Sequence, residues 1–220
     1  MGRDMKKLLT AAAATLAATP ALAHHPLNGM PMETFAHGLL SGVGHPVLGF
    51  DHLFFVALMG IAALYTGRRF AAPLAYVAAM LTGCGLMYAG LAMPLAETVI
   101  VLSLLVLGGW ILSGRAMSLP VALALFAGFG LFHGSAFGGS IAGQEGGIGG
   151  AVLLGYLLGL GAIQYAIALG AGWLAEKVLG ATEAGAINAR LAGAMGAGVG
   201  LFLALEIVEA PLVAMISAGV

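Results

Sequence analysis

The chain has 220 residues; 61% are hydrophobic, 8% are charged, and the mean hydropathy is +1.05. With its 36 glycines the apolar share reaches about 77%, against ~45–50% in soluble domains, where charged residues make up ~25%. So few charges cannot cover a soluble fold of this size, and 8 Lys+Arg provide no basic patch for phosphates. Soluble enzymes, nucleic-acid binders and disordered linkers are excluded, leaving an integral membrane protein. Its one cysteine, Cys84, allows no internal disulfide and falls in an apolar stretch, where it reads as packing.

The N-terminus has the form of a secretory signal. Arg3, Lys6 and Lys7 precede a short apolar run from Leu8 to Ala18, and Ala21-Leu22-Ala23 has the small-x-small cleavage pattern. The run is shorter than the ~20 residues a bilayer requires. Cleavage after Ala23 by a bacterial Sec-type route is expected. The mature chain, 24–220, would then begin His24-His25-Pro26 with its N-terminus outside the cell membrane.

Six apolar spans follow, at 46–66, 70–92, 97–114, 118–139, 149–174 and 191–210. They are apolar throughout, whereas barrel strands would be shorter and alternating, so helices are expected. The predicted fold class is all-α: one polytopic bundle of six transmembrane helices after a cleaved signal peptide. Residues 24–45 form a polar extracytoplasmic lead segment at the interface. Glycines at i, i+4 (Gly130/Gly134/Gly138, Gly155/Gly159 and Gly196/Gly200) predict close helix–helix approach.

Basic residues orient the bundle. Arg68, Arg69, Arg115, Lys177 and Arg190 all fall in or beside the loops after the first, third and fifth spans, so those loops are cytoplasmic. The acids Glu33, Asp51, Glu97, Glu145, Glu206 and Glu209 map to the outer half, as do all six histidines.

Within the first span the sequence reads His45-Pro46-Val47-Leu48-Gly49-Phe50-Asp51-His52. Pro46 suits a helix start, which makes His45 the cap residue. An Asp at membrane depth costs about 2.5–3.5 kcal/mol on insertion scales, so Asp51 calls for a partner or a function. His52 and His133 are expected at similar depth on two helices, about 9 Å below the outer surface. In a regular helix His45 and His52 would stand about 10 Å apart, too far for one ion unless the first turn unwinds. Imidazole and carboxylate together suit nickel, cobalt, copper or zinc. Glu97, His37 and the exposed His24/His25 are further candidate ligands.

These residues carry a resemblance. HPVLGFDH, the Glu after a Pro in MPLAE, and FHGSA resemble the HupE/UreJ family, hydrogenase and urease accessory membrane proteins regarded as nickel or cobalt permeases. The resemblance extends over essentially the whole mature chain. It implies metal handling by His45, Asp51 and His52, with Glu97 and His133 as further polar positions. Family members commonly continue the second motif as HGxAHG, with another histidine; this chain has Phe137 there.

The expected function is therefore uptake of divalent nickel, or cobalt, across the bacterial inner membrane for hydrogenase or urease maturation. His24, His25 and His37 would collect the ion; His45, Asp51 and His52 would strip part of its hydration; His133 and Glu97 would complete the shell. Acidification should weaken uptake, because ligating histidines must be deprotonated. No GxxxxGK[ST] motif is present, so coupling would be passive, ion-driven or supplied by a partner. No catalysis and no permanently bound cofactor are expected. The partners are the divalent metal ion as cargo, the lipid bilayer, and further copies of the chain or metallocentre-assembly proteins. The rival readings are a bis-His haem electron carrier, with His52 and His133 as axial ligands, and a membrane-embedded metalloenzyme.

Overall fold

The computed structural model describes residues 31–142 and 148–218, so the expected signal peptide, His24, His25 and Glu145 lie outside the described residues. Every regular element described is helical. In chain order they are α1 (Phe35–Leu48), α2 (Phe50–Leu64), α3 (Ala72–Tyr88), α4 (Ala96–Leu112), α5 (Leu119–Ala142), α6 (Gly150–Trp173) and α7 (Ile187–Ala218). A π-helical turn, Leu174–Val178, prolongs α6.

Three helical stretches are long and apolar enough to cross a membrane: Leu119–Ala142, Gly150–Val178 and Ile187–Glu209. The pair α1 and α2 qualifies together but is bent by 81°, which makes up to four. Helices α3 and α4 have 17 residues each, about 25 Å, a little short of a ~30 Å hydrocarbon core. The expected 70–92 span is cut back because α3 ends at Tyr88 and Gly90, at φ +87°, turns the chain away.

The first span departs most from expectation. The helix begins at Phe35, ten residues before His45, with the Thr34 hydroxyl accepting from the His37 amide as its N-cap. The stretch 35–45, expected within the lead segment, is thus a helix packed on α6. Pro46 lies inside α1, so His45 is a helical residue and not a cap. The break falls at Gly49, a single extended residue (φ −83°, ψ 102°) that ends α1 and caps α2.

Packing is dominated by α3 on α5, α1 on α6 and α4 on α7. The glycines explain the closeness. A Cβ on Gly134 would overlap the Met80 carbonyl oxygen, and one on Gly38 would overlap that of Val152. Gly155 and Gly159 face the carbonyls of Phe35 and Leu39 in the same way. With lipid on the outside, such backbone contact supplies the dispersion energy that a hydrophobic drive cannot. Large apolar side chains such as Phe50, Leu158, Leu201 and Phe202 are exposed on the periphery, as a lipid-facing surface requires.

The basic residues gather at one end of the bundle. Arg69 pairs with Glu176 at 2.7 Å, and Arg190 Nε donates to the Leu112 carbonyl at 3.0 Å. The Tyr65 hydroxyl donates to the Ala181 carbonyl, tying the loop after α2 to the loop before α7. The histidines of α1, α2 and α5 lie toward the opposite end.

Candidate metal site between α1, α2 and α5

The 81° bend at Gly49 turns α1 back over the start of α2, and it brings the His45 and His52 rings to 6.2 Å between centroids. The unwinding that a shared site needs is therefore built into the backbone. A Cβ on Gly49 would stand 2.9 Å from His52 Cδ2 and 3.2 Å from Asp51 Oδ1, so only glycine leaves those groups their space.

The break also accounts for Asp51, which becomes a first-turn residue of α2. Its Oδ1 accepts from the His52 amide at 2.8 Å, satisfying one orphan donor and meeting the positive end of the helix dipole. Its Oδ2 lies 3.9 Å from His52 Nε2.

His52 and His133 are buried and touch directly, Nδ1 to Nδ1, at 2.7 Å. The network assigns their tautomers. Ser103 donates its hydroxyl proton to the Ile100 carbonyl at 2.6 Å, so toward His133 Nε2, 3.1 Å away, Ser103 Oγ is the acceptor. His133 then carries its proton on Nε2 and accepts at Nδ1, and His52 donates from Nδ1. The lone pair of His52 consequently sits on Nε2, on the side of the Asp51 carboxylate. A histidine ligand is commonly fixed through its other ring nitrogen in this manner.

His45 has a corresponding support. Ser140 and Tyr156 both donate to the Phe137 carbonyl, at 2.7 and 3.1 Å, and their oxygens lie 3.3 and 3.4 Å from His45 Nδ1. These two hydroxyls therefore fix the orientation of the His45 ring through Nδ1. Phe137 is fully buried between the two imidazoles, with ring centroids 5.1 Å from His45 and 4.2 Å from His52.

The other candidates are placed apart. His37 is occupied in the α1 cap, where its Nδ1 accepts from the Glu33 amide at 3.3 Å. Glu97 is exposed in the first turn of α4, where its carboxylate and that of Asp51 act on each other electrostatically. Among the described residues, no three of His, Cys, Asp and Glu converge closely enough to hold an ion together. The direct His52–His133 bond and the Phe137 ring fill the space in which a third ligand would stand.

Several supporting residues escaped the sequence reading: Ser103, Ser140, Tyr156, and the buried pair Tyr76 and Gln164. Only Gln164 had a visible signal, as an amide within an otherwise apolar span.

The family model described as HupE / UreJ protein matches residues 12–203. The chain belongs to the HupE/UreJ family. Over 123 residues this HupE/UreJ chain is 32% identical to Protein HupE of Rhizobium leguminosarum bv. viciae. That alignment covers 55% of the present chain and 62% of the relative, which is less than two thirds of the relative's length. No solved structure matches the chain. Family membership and the apolar helices together identify a membrane protein.

Proposed function

We propose that this HupE/UreJ protein is a permease that takes up divalent nickel, with cobalt as the alternative cargo, across the bacterial inner membrane for hydrogenase or urease maturation. The observation that carries the reading is the position of His52 Nε2, 3.9 Å from the Asp51 carboxylate on the first turn of α2. Two cis ligands at about 2.1 Å from an octahedral cation stand about 3.0 Å apart, so the pair would close on the ion from its present 3.9 Å separation. Asp51 neutralises charge, His52 supplies a borderline-soft nitrogen, and His45 and His133 approach from the neighbouring helices. His24, His25, His37 and Glu97 would serve capture on the outer surface.

A carrier must release what it binds. A site of one carboxylate and one oriented imidazole, completed by neighbours that must first move, suits a transient shell better than a resident metal. That argues against a retained catalytic ion. The haem reading fits these residues poorly, because axial ligands stand on opposite faces of a macrocycle and 2.7 Å between His52 and His133 leaves no room for one.

In this reading the chain crosses the membrane six times, through α2 to α7, with α1 folded back as a half-helix beside α2. The signal peptide is removed after Ala23, the mature N-terminus is periplasmic, and the Arg69/Arg190 end is cytoplasmic, as the positive-inside rule requires. Uptake of radiolabelled nickel by cells making the protein, with Ni²⁺, Co²⁺, Zn²⁺ and Cu²⁺ as competitors, tests it. Competition by unlabelled Ni²⁺ and Co²⁺ is expected; uptake no greater than in cells lacking the protein would refute it.

A further inference from the structure

Below the histidines lies a second buried polar pair that their chemistry does not use. Tyr76 on α3 and Gln164 on α6 are both fully buried, and the Tyr76 hydroxyl donates to Gln164 Oε1 at 2.6 Å. Gln164 Nε2 donates to the Leu160 carbonyl of its own helix at 3.2 Å. Oε1 keeps a second lone pair, and so does the tyrosine oxygen. A Leu and a Phe would fill these positions without burying an amide or a hydroxyl, which is costly in a bundle surrounded by hydrocarbon.

The register of the helices gives the depth. Gly134 packs on Met80 and Gly130 on Tyr76, so Tyr76 lies about one turn farther from the Asp51 end than His133. Gly60 packs on Ala168, which places Gln164 about one turn beyond the level of His52. The Tyr76 ring stands 5.8 Å from the His133 ring, so the two polar pairs are neighbours.

Farther along α6 a cavity of about 90 Å³ opens at the Arg69 end. It is lined by Gly60, Leu64, Ala168, Arg69, Glu176 and Lys177, and the Glu176 carboxylate there is paired with Arg69 at 2.7 Å and Lys177 at 3.3 Å, pairs that an arriving cation would have to exchange. Ala168, which lines the cavity, is one turn from Gln164. The same helix thus carries Tyr156 beside His45, Gln164 beneath His52, and Glu176 at the far end.

Resting on the permease reading, we propose that Tyr76 and Gln164 form an oxygen-ligand station on the ion path, which receives the divalent cation as it leaves the imidazoles and passes it toward the Glu176 cavity. Two oxygens at about 2.1 Å from an octahedral cation stand about 3.0 Å apart, so the ion enters when the Tyr76 hydroxyl proton turns away from Gln164 Oε1 and the 2.6 Å contact opens. Neutral oxygens hold a borderline cation more weakly than imidazole and carboxylate do, which suits a station that must also let go.

The test uses the full chain, purified and reconstituted in liposomes, comparing unaltered protein with Tyr76→Phe, Gln164→Leu and Gln164→Glu. Initial uptake of radiolabelled Ni²⁺ is measured beside equilibrium Ni²⁺ binding and thermal unfolding in detergent. Tyr76→Phe and Gln164→Leu should slow uptake about tenfold while Ni²⁺ binding stays at its unaltered value; the orphaned buried partner lowers the unfolding temperature, but the protein remains folded at the assay temperature. Gln164→Glu, which keeps an oxygen ligand, should retain most of the uptake. Unchanged uptake in the first two variants, or loss of Ni²⁺ binding together with uptake, would overturn the station and leave the permease reading standing. Absence of uptake by the unaltered protein would overturn both.

Discussion

The Nδ1 atoms of His52 and His133 lie 2.7 Å apart, with the far nitrogen of His133 turned to Ser103. This contact joins α2 to α5 and decides which nitrogen of His52 faces Asp51. Replacing His133 by Ala should therefore leave His52 in place but without a fixed tautomer. Loss of a residue that orients a ligating imidazole typically costs about 10–100-fold in metal affinity, and nickel binding to the purified protein should fall by that order. Ser103→Ala should lower it by less, since it removes only the outermost link.

Gly49 is a second point of leverage. Its backbone angles suit any residue, but a Cβ would stand 2.9 Å from the His52 ring. Gly49→Ala should reduce nickel binding while the protein still inserts and unfolds near its normal temperature. A larger residue such as Val should also lower the unfolding temperature. Binding isotherms and thermal scans on the same preparations separate the two effects.

Phe137 occupies the volume between His45 and His52. Phe137→His should place a third imidazole there, tighten nickel binding and slow its release. Uptake should then fall even as binding rises, because a permease that holds its cargo turns over slowly. Dissociation of nickel into a chelator, timed for both proteins, checks this directly.

The glycine contacts predict stability effects away from the site. Gly134→Leu would drive a side chain into the Met80 carbonyl and force α3 and α5 apart. Overpacking typically costs about 1–3 kcal/mol even where the backbone can yield, and here the obstacle is backbone. Folded yield and unfolding temperature should both drop. Gly170→Ala, at an open position on α6, should leave both unchanged.

The helical class, the glycine contacts and the importance of Asp51-His52 were legible in the residues because each leaves a local mark. Apolar runs, i, i+4 spacing and a carboxylate at membrane depth all show in one dimension. The bend was half visible: His45 and His52 could not share an ion on a straight helix, yet Pro46 drew the expected start to the wrong residue. Helix α1 was hidden because Gly38, Gly42 and Gly44 dilute its apolar pattern, and Gly38 and Gly42 are small for the sake of α6, which no local pattern reveals. Ser103, Tyr156 and Tyr76 meet His133, His45 and Gln164, 30, 111 and 88 positions away along the chain, so nothing near them announced a role.

The central claim is that Asp51 and His52 bind the transported ion. Uptake of radiolabelled nickel by cells carrying Asp51→Asn or His52→Ala, at matched expression in the membrane, tests it most directly. Accumulation should fall to the level of cells without the protein in both variants. Nickel accumulation at the unaltered rate in either variant would contradict the account.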